Sequence, residues 1–85
     1  MSEETINLLL PLWCKALRRD GIAVTDDFFA LGGTSLEGVQ LLAEVSDTFG
    51  VEVPPLAMYD EASTPGGMAV LIDGELNGGQ RRAHG

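Results

Sequence analysis

The chain has 85 residues, 45% of them hydrophobic, and a formal net charge of −8. That length allows one domain at most, burying only roughly 60 to 65% of the surface its unfolded chain exposes. The hydrophobic content excludes a disordered chain, the sparse and scattered cations exclude a nucleic-acid binder, and one cysteine excludes both a disulfide framework and a cysteine-based zinc site.

Ile6, Leu9, Leu10, Trp13 and Leu17 recur at helical spacing, so Glu3 to Arg19 reads as an amphipathic helix capped by Ser2 or Thr5. Glu3 and Glu4 suit its positive end. Pro11 lacks the amide that would bond the Asn7 carbonyl, which predicts a kink or a helix that begins near Leu10. Asp20-Gly21 is the expected stop. The connection from there to Thr34 holds Ile22, Val24, Phe28, Phe29 and Leu31, too many large apolar side chains for a polar linker. It is expected to pack as an ordered loop.

A second helix follows. Thr34 and Glu37 have the spacing of a capping box, in which each side chain bonds the backbone amide of the other, and Ser35 then becomes the first helical residue with its hydroxyl unused. Gly38, Leu41, Leu42, Val45 and Phe49 fall on one face, Glu37, Gln40, Glu44 and Asp47 on the other, and Gly50 ends the helix. Pro54-Pro55 makes Val51 to Leu56 an extended connection, and Ala57 to Glu61 reads as a single helical turn. The last helix starts at Ser63-Thr64-Pro65, with Thr64 as cap. Met68, Leu71, Ile72 and Leu76 form its apolar face, and Asn77-Gly78-Gly79 is its expected end. The domain is therefore drawn as residues 4–77, with 78–85 as a disordered tail.

Ser35 is the residue around which chemistry gathers. Gly32-Gly33 lets the backbone approach a ligand closely, and a phosphate on Ser35 would meet the unsatisfied amides and partial positive charge of a helix start. A nucleophilic hydrolase lacks its parts, because the sole histidine, His84, lies in the tail and Gly33-Thr34-Ser35-Leu36-Glu37 lacks the second glycine of a nucleophile elbow. Cys14, beside Trp13, has no evident base or metal partner and reads as a packed thiol. Met58 and Tyr59 read either as core or, with Leu36, as an apolar contact patch for partner enzymes. No residue from Asp20 to Gln80 is basic, while that span holds eleven acids. Most of them serve solubility, and those near Ser35 suit a surface that steers basic partner proteins. Neither a cleavable leader nor a membrane-length apolar run is visible, so a soluble, cytoplasmic protein with no membrane partner is expected.

The order and spacing of several segments resemble the peptidyl carrier (thiolation) domains of non-ribosomal peptide synthesis, members of the phosphopantetheine-binding acyl carrier superfamily. Leu12-Trp13-Cys14-Lys15-Ala16-Leu17 is similar to that family's first helix, Val24 to Leu36 with its Phe-Phe-Ala-Leu-Gly-Gly lead-in is similar to the approach to its modified serine, and Phe49 to Pro54 is similar to its exit from the second helix. The resemblance covers Leu9 to about Leu76. It implies an all-α, small four-helix bundle of the acyl carrier protein type, with a short third helix. It also implies a 4'-phosphopantetheine arm on Ser35, drawn from coenzyme A, and a partner surface of Thr34, Leu36, Met58 and Tyr59. Ser35 would be an attachment point and not a catalyst, and the chain no enzyme. The implied partners of a monomeric carrier are a phosphopantetheinyl transferase, an adenylating enzyme, and condensation, tailoring or thioesterase enzymes of secondary metabolism. The start methionine and short ends suit a free-standing (type II) carrier. Alternatives are an acyl or aryl carrier with the same arm and different cargo, or a helical interaction module whose serine is never modified. The departures from the pattern are the absence of any basic residue in the second helix, Thr34 where relatives often carry Asp or His, and a proline that follows Thr64 where relatives often place it before.

Overall fold

A computed structural model describes residues 2–84, with the side chains of 2–77. Three α-helices appear in chain order: α1 (Glu3–Leu17), α2 (Ser35–Phe49) and α3 (Pro65–His84), with a 3-10 turn at Pro55–Tyr59 between the last two. The described residues contain no strand. The architecture is the expected all-α bundle, and the 3-10 turn takes the place of the short third helix.

Each helix start follows from its sequence. The Ser2 hydroxyl accepts the Thr5 amide at 3.3 Å and so caps α1, which leaves Thr5 for another role. Its hydroxyl donates to Asp73 of α3 at 2.5 Å, and the Ser2 amide donates to the same carboxylate at 2.7 Å. The first turn of α1 is thereby tied to α3. Thr64 caps α3 by accepting the Gly67 amide at 3.0 Å, with Pro65 at the first helical position, where its missing amide costs nothing.

Four details differ from the sequence expectation. Helix α1 runs through Pro11 and does not begin near Leu10, because Pro11 and Asn7 are both exposed and the freed carbonyl faces solvent. It stops at Leu17, before Asp20-Gly21, with Arg18 in the left-handed conformation at φ 56° and the Arg19 amide returning to the Cys14 carbonyl at 3.1 Å. The Arg19 guanidinium then donates to the Leu31 carbonyl at 3.2 Å, which holds the helix end against the following loop. The turn after the double proline starts at Pro55 and not at Ala57, since a proline's fixed φ suits the first position of a helical turn. Helix α3 continues to His84, past Asn77-Gly78-Gly79. The side chains of 78–84, Gly85, and with them the expected disordered tail, lie outside the described residues.

The core joins all elements. Leu9 and Trp13 from α1, Leu41 and Val45 from α2, Met68 and Ile72 from α3, and Phe28 from the loop are wholly buried. Ile22 is buried as well, while Val24, Phe29 and Leu31 pack partly buried against the core, so the connection between α1 and α2 is the ordered segment its composition predicts. Two backbone bonds fix that loop to the entry of α3, Phe28 N–H to the Ser63 carbonyl at 2.8 Å and Gly66 N–H to the Val24 carbonyl at 2.9 Å. Leu76, expected on the apolar face of α3, is exposed.

Candidate functional site

The start of α2 is built from the loop inward. The Asp27 carboxylate accepts the Ala30 amide at 2.9 Å, Gly32 takes φ 94°, and the Gly33 amide donates to the Phe28 carbonyl at 3.0 Å. Gly33 lies against the Phe28 ring so closely that a Cβ there would overlap it. Phe28 meets Trp13 edge to face with centroids 5.3 Å apart, Phe29 meets Phe28 likewise at 5.4 Å, and Tyr59 stacks on Phe29 at 4.9 Å. This aromatic series connects α1 through the loop to the 3-10 turn. The approach to Ser35 is therefore clamped on core residues.

Thr34 is extended at φ −103°, ψ 166°, and its hydroxyl accepts the Glu37 amide at 3.2 Å while the Glu37 carboxylate accepts the Thr34 amide at 2.9 Å. The reciprocal capping predicted from sequence is present. The same carboxylate accepts the Thr34 hydroxyl proton at 3.2 Å. Ser35 is the first residue of α2, its side chain is exposed, and its hydroxyl makes no hydrogen bond among the described residues. The amides of Ser35 and Leu36 likewise find no acceptor there. The site thus offers an accessible hydroxyl at the positive end of a helix, beside two amides that a phosphate oxygen could engage. Those features fit a phosphodiester at Ser35 Oγ.

A shallow cavity of about 70 Å³ opens beside Ser35, walled by Phe29, Gly38, Val39, Met58 and Tyr59 among others. Leu36 is 67% exposed and Tyr59 64%, as a contact surface would require. Met58 differs: at 3% exposure it belongs to the core, where it packs near Gly38 beneath α2, so it is removed from the surface residues. The apolar anchors of the 3-10 turn divide by its threefold period, which turns Met58 inward and leaves its neighbours Leu56 and Tyr59 outward. Exposed apolar residues that escaped the sequence reading include Val39 at 56% and Leu56 at 80%. Val39 was findable, because it stands three residues after Leu36 and shares its face. No group of three or more potential metal ligands occurs among the described residues.

Comparison with known proteins gives the chain its family. The family described as "Phosphopantetheine attachment site" matches residues 7–72, more than three quarters of the chain. The chain belongs to that family, whose members carry 4'-phosphopantetheine covalently. Among its relatives are the aldehyde reductase lnbA of Aspergillus flavus, 39% identical over 86% of this chain and 7% of the relative, and the non-canonical nonribosomal peptide synthetase FrzA of Cladobotryum sp, 32% identical over 98% of this chain and 8% of the relative. The chain spans less than a tenth of the length of either. A solved structure of an active-site mutant of a peptidyl carrier protein superimposes with a TM-score of 0.78 at 25% identity, covering 86% of this chain and 80% of that one.

Proposed function

We propose that the chain is a peptidyl carrier: it holds an aminoacyl or peptidyl group as a thioester on a phosphopantetheine arm attached to Ser35 and delivers it to biosynthetic enzymes. The observation that carries this reading is the division of roles at the start of α2, where Thr34 closes the helix end and leaves the adjacent, exposed Ser35 hydroxyl without an intramolecular partner. The residues Ser35 and Leu36 would hold the phosphate through their free amides, and the arm supplies the thiol on which cargo is carried. The Glu37 carboxylate in the same turn is occupied by the Thr34 amide and hydroxyl, which supports reading Ser35 as an attachment residue, with the reactions belonging to partners. Those partners are a phosphopantetheinyl transferase, an adenylating enzyme that loads the thiol, and condensation, tailoring or thioesterase enzymes that unload it. In this reading the carrier works as a monomer in the cytoplasm; among the described residues no helix is long and apolar enough to cross a membrane.

The peptidyl assignment over acyl or aryl cargo is supported by the likeness to the peptide synthetase and the peptidyl carrier structure. Intact mass after incubation with coenzyme A and a broad-specificity phosphopantetheinyl transferase, beside Ser35→Ala, tests the attachment. A gain of one phosphopantetheine in the parent alone is expected. Modification of both proteins, or of neither while folded, overturns it. Loading the modified chain with amino acids against aliphatic and aryl acids then separates the cargo classes.

A further inference from the structure

A groove of about 380 Å³ runs between the last turns of α1 and the first half of α2. Leu12 and Ala16 of α1 and Ala43 of α2 give it apolar walls, while Arg18 stands on one side and Glu37 and Glu44 on the other. Glu37 belongs to the same first turn of α2 as Ser35. The groove therefore opens close to the attachment point.

Its charged groups are unequally committed. The Lys15 ammonium meets Glu44 Oε1 at 3.0 Å, and the Thr34 amide and hydroxyl both donate to Glu37 Oε1. The second oxygen of each carboxylate accepts no hydrogen bond among the described residues. Arg18 is freer still: its guanidinium makes neither an ion pair nor a hydrogen bond among those residues, whereas the neighbouring Arg19 donates to the Leu31 carbonyl. Among them Arg18 is also the one non-glycine residue with positive φ, at 56°, a conformation that glycine adopts without strain. A cation suits the negative end of α1, but Lys15 already supplies one in its last turn. A strained residue with an uncommitted guanidinium at a groove points to something that the guanidinium binds.

We propose that the groove between α1 and α2 receives the cargo of the arm, and that the cargo it fits is an acidic aminoacyl group, aspartyl or glutamyl. The thioester consumes the α-carboxylate, so such a group keeps one ammonium and one side-chain carboxylate joined by a short methylene stem. Arg18 pairs with the carboxylate, the open oxygens of Glu37 and Glu44 take the ammonium, and the stem lies on Ala16 and Ala43. Aliphatic cargo leaves Arg18 unmatched. Given the arm on Ser35, the reading on which this assignment rests, the cargo is within reach. The arm is about as long as five extended residues, and a flexible chain of that length has a root-mean-square span of roughly 12 Å. Glu37, two positions from Ser35, stands well inside that radius. Tethering also keeps the cargo at an effective concentration on the order of millimolar, so a weak, solvent-exposed pair is enough to bias where it rests.

The test loads Ser35 with glutamyl, glutaminyl or leucyl groups on arms in which an amide replaces the labile thioester, and compares each by heteronuclear NMR with the chain bearing the bare arm. Glutamyl cargo should move the amide signals of Leu12, Ala16 and Ala43 and the Nε signal of Arg18. Raising NaCl from about 20 to 300 mM should reduce those shifts by about 2-fold or more. Glutaminyl and leucyl cargo should move only the signals of residues 34–37, and so should glutamyl cargo on Arg18→Gln. Equal groove shifts for all three cargoes, or glutamyl shifts that survive Arg18→Gln, overturn the role of Arg18. Glutamyl shifts confined to 34–37 in the parent chain overturn the groove. The comparison of cargoes within the parent holds whether or not Arg18→Gln folds, which its own spectrum reports. An unchanged mass of the parent after the loading reaction is a different failure, that of the attachment reading.

Discussion

At Thr34 and Ser35 two adjacent hydroxyls of similar chemistry have opposite duties. Thr34 is committed to the backbone of α2, so Thr34→Ala should cost about 1 kcal/mol, a fall in Tm of roughly 4–8 °C for a domain of this size. Ser35→Ala removes no bond and should stay within about 0.5 kcal/mol of the parent while abolishing modification. Thermal melts of the pair check this directly, and a larger loss for Ser35→Ala would reverse the two roles. Gly33 is constrained by space, because any side chain there meets the Phe28 ring. Gly33→Ala should cost about 1–3 kcal/mol and also slow arm transfer, since the displaced ring supports the loop that presents Ser35. Arg18 is the opposite case, a left-handed residue with a side chain where glycine would be free of strain. Arg18→Gly should raise stability by up to about 1 kcal/mol, measured by denaturant unfolding.

Between elements, the tie from α1 to α3 is set by one carboxylate. Asp73 is held below its ordinary value of 3.8, chiefly by the Thr5 hydroxyl, with burial opposing and the Ser2 amide assisting. The folded chain therefore holds this proton less tightly than the unfolded chain does. The tie is at full strength above the unfolded value and fades as pH falls through the lower, folded one. A Tm profile should decline below about pH 4, and Asp73→Asn should remove part of that decline while lowering Tm at neutral pH. Its solvent exposure keeps the effect modest. The elements themselves were largely legible in the sequence, for reasons that differ among them. Capping chemistry is local, so Thr34 with Glu37 and Thr64 with Pro65 declared their helix starts. Burial of the Ile22–Leu31 connection was legible because large apolar side chains have few other places to go. The end of α1 was not, because a left-handed Arg18 is held by a neighbour thirteen positions away, through Arg19 and Leu31. The inward turn of Met58 was not either, since a five-residue apolar run carries too little periodicity to separate its faces. The exposure of Leu56 has the same origin. Asp73 could not have been paired with Ser2 and Thr5, which lie about seventy residues away in the chain.

Across the whole molecule, a net charge of −8 on 85 residues works against the compact state through self-repulsion. The ion pair between Lys15 and Glu44, at 3.0 Å but largely exposed, is worth at most about 1 kcal/mol and does not offset the repulsion among the acids. Raising salt from about 20 to 200 mM should therefore raise Tm by a few degrees, as self-repulsion is screened over a Debye length of about 10 Å. The unbonded hydroxyl of Ser35 has a last implication at this scale. On the proposed reading, esterifying it breaks no hydrogen bond inside the bundle, so the arm can be fitted without unmaking any part of the fold. The chain would then act as a handle whose shape is ready before its tool is attached.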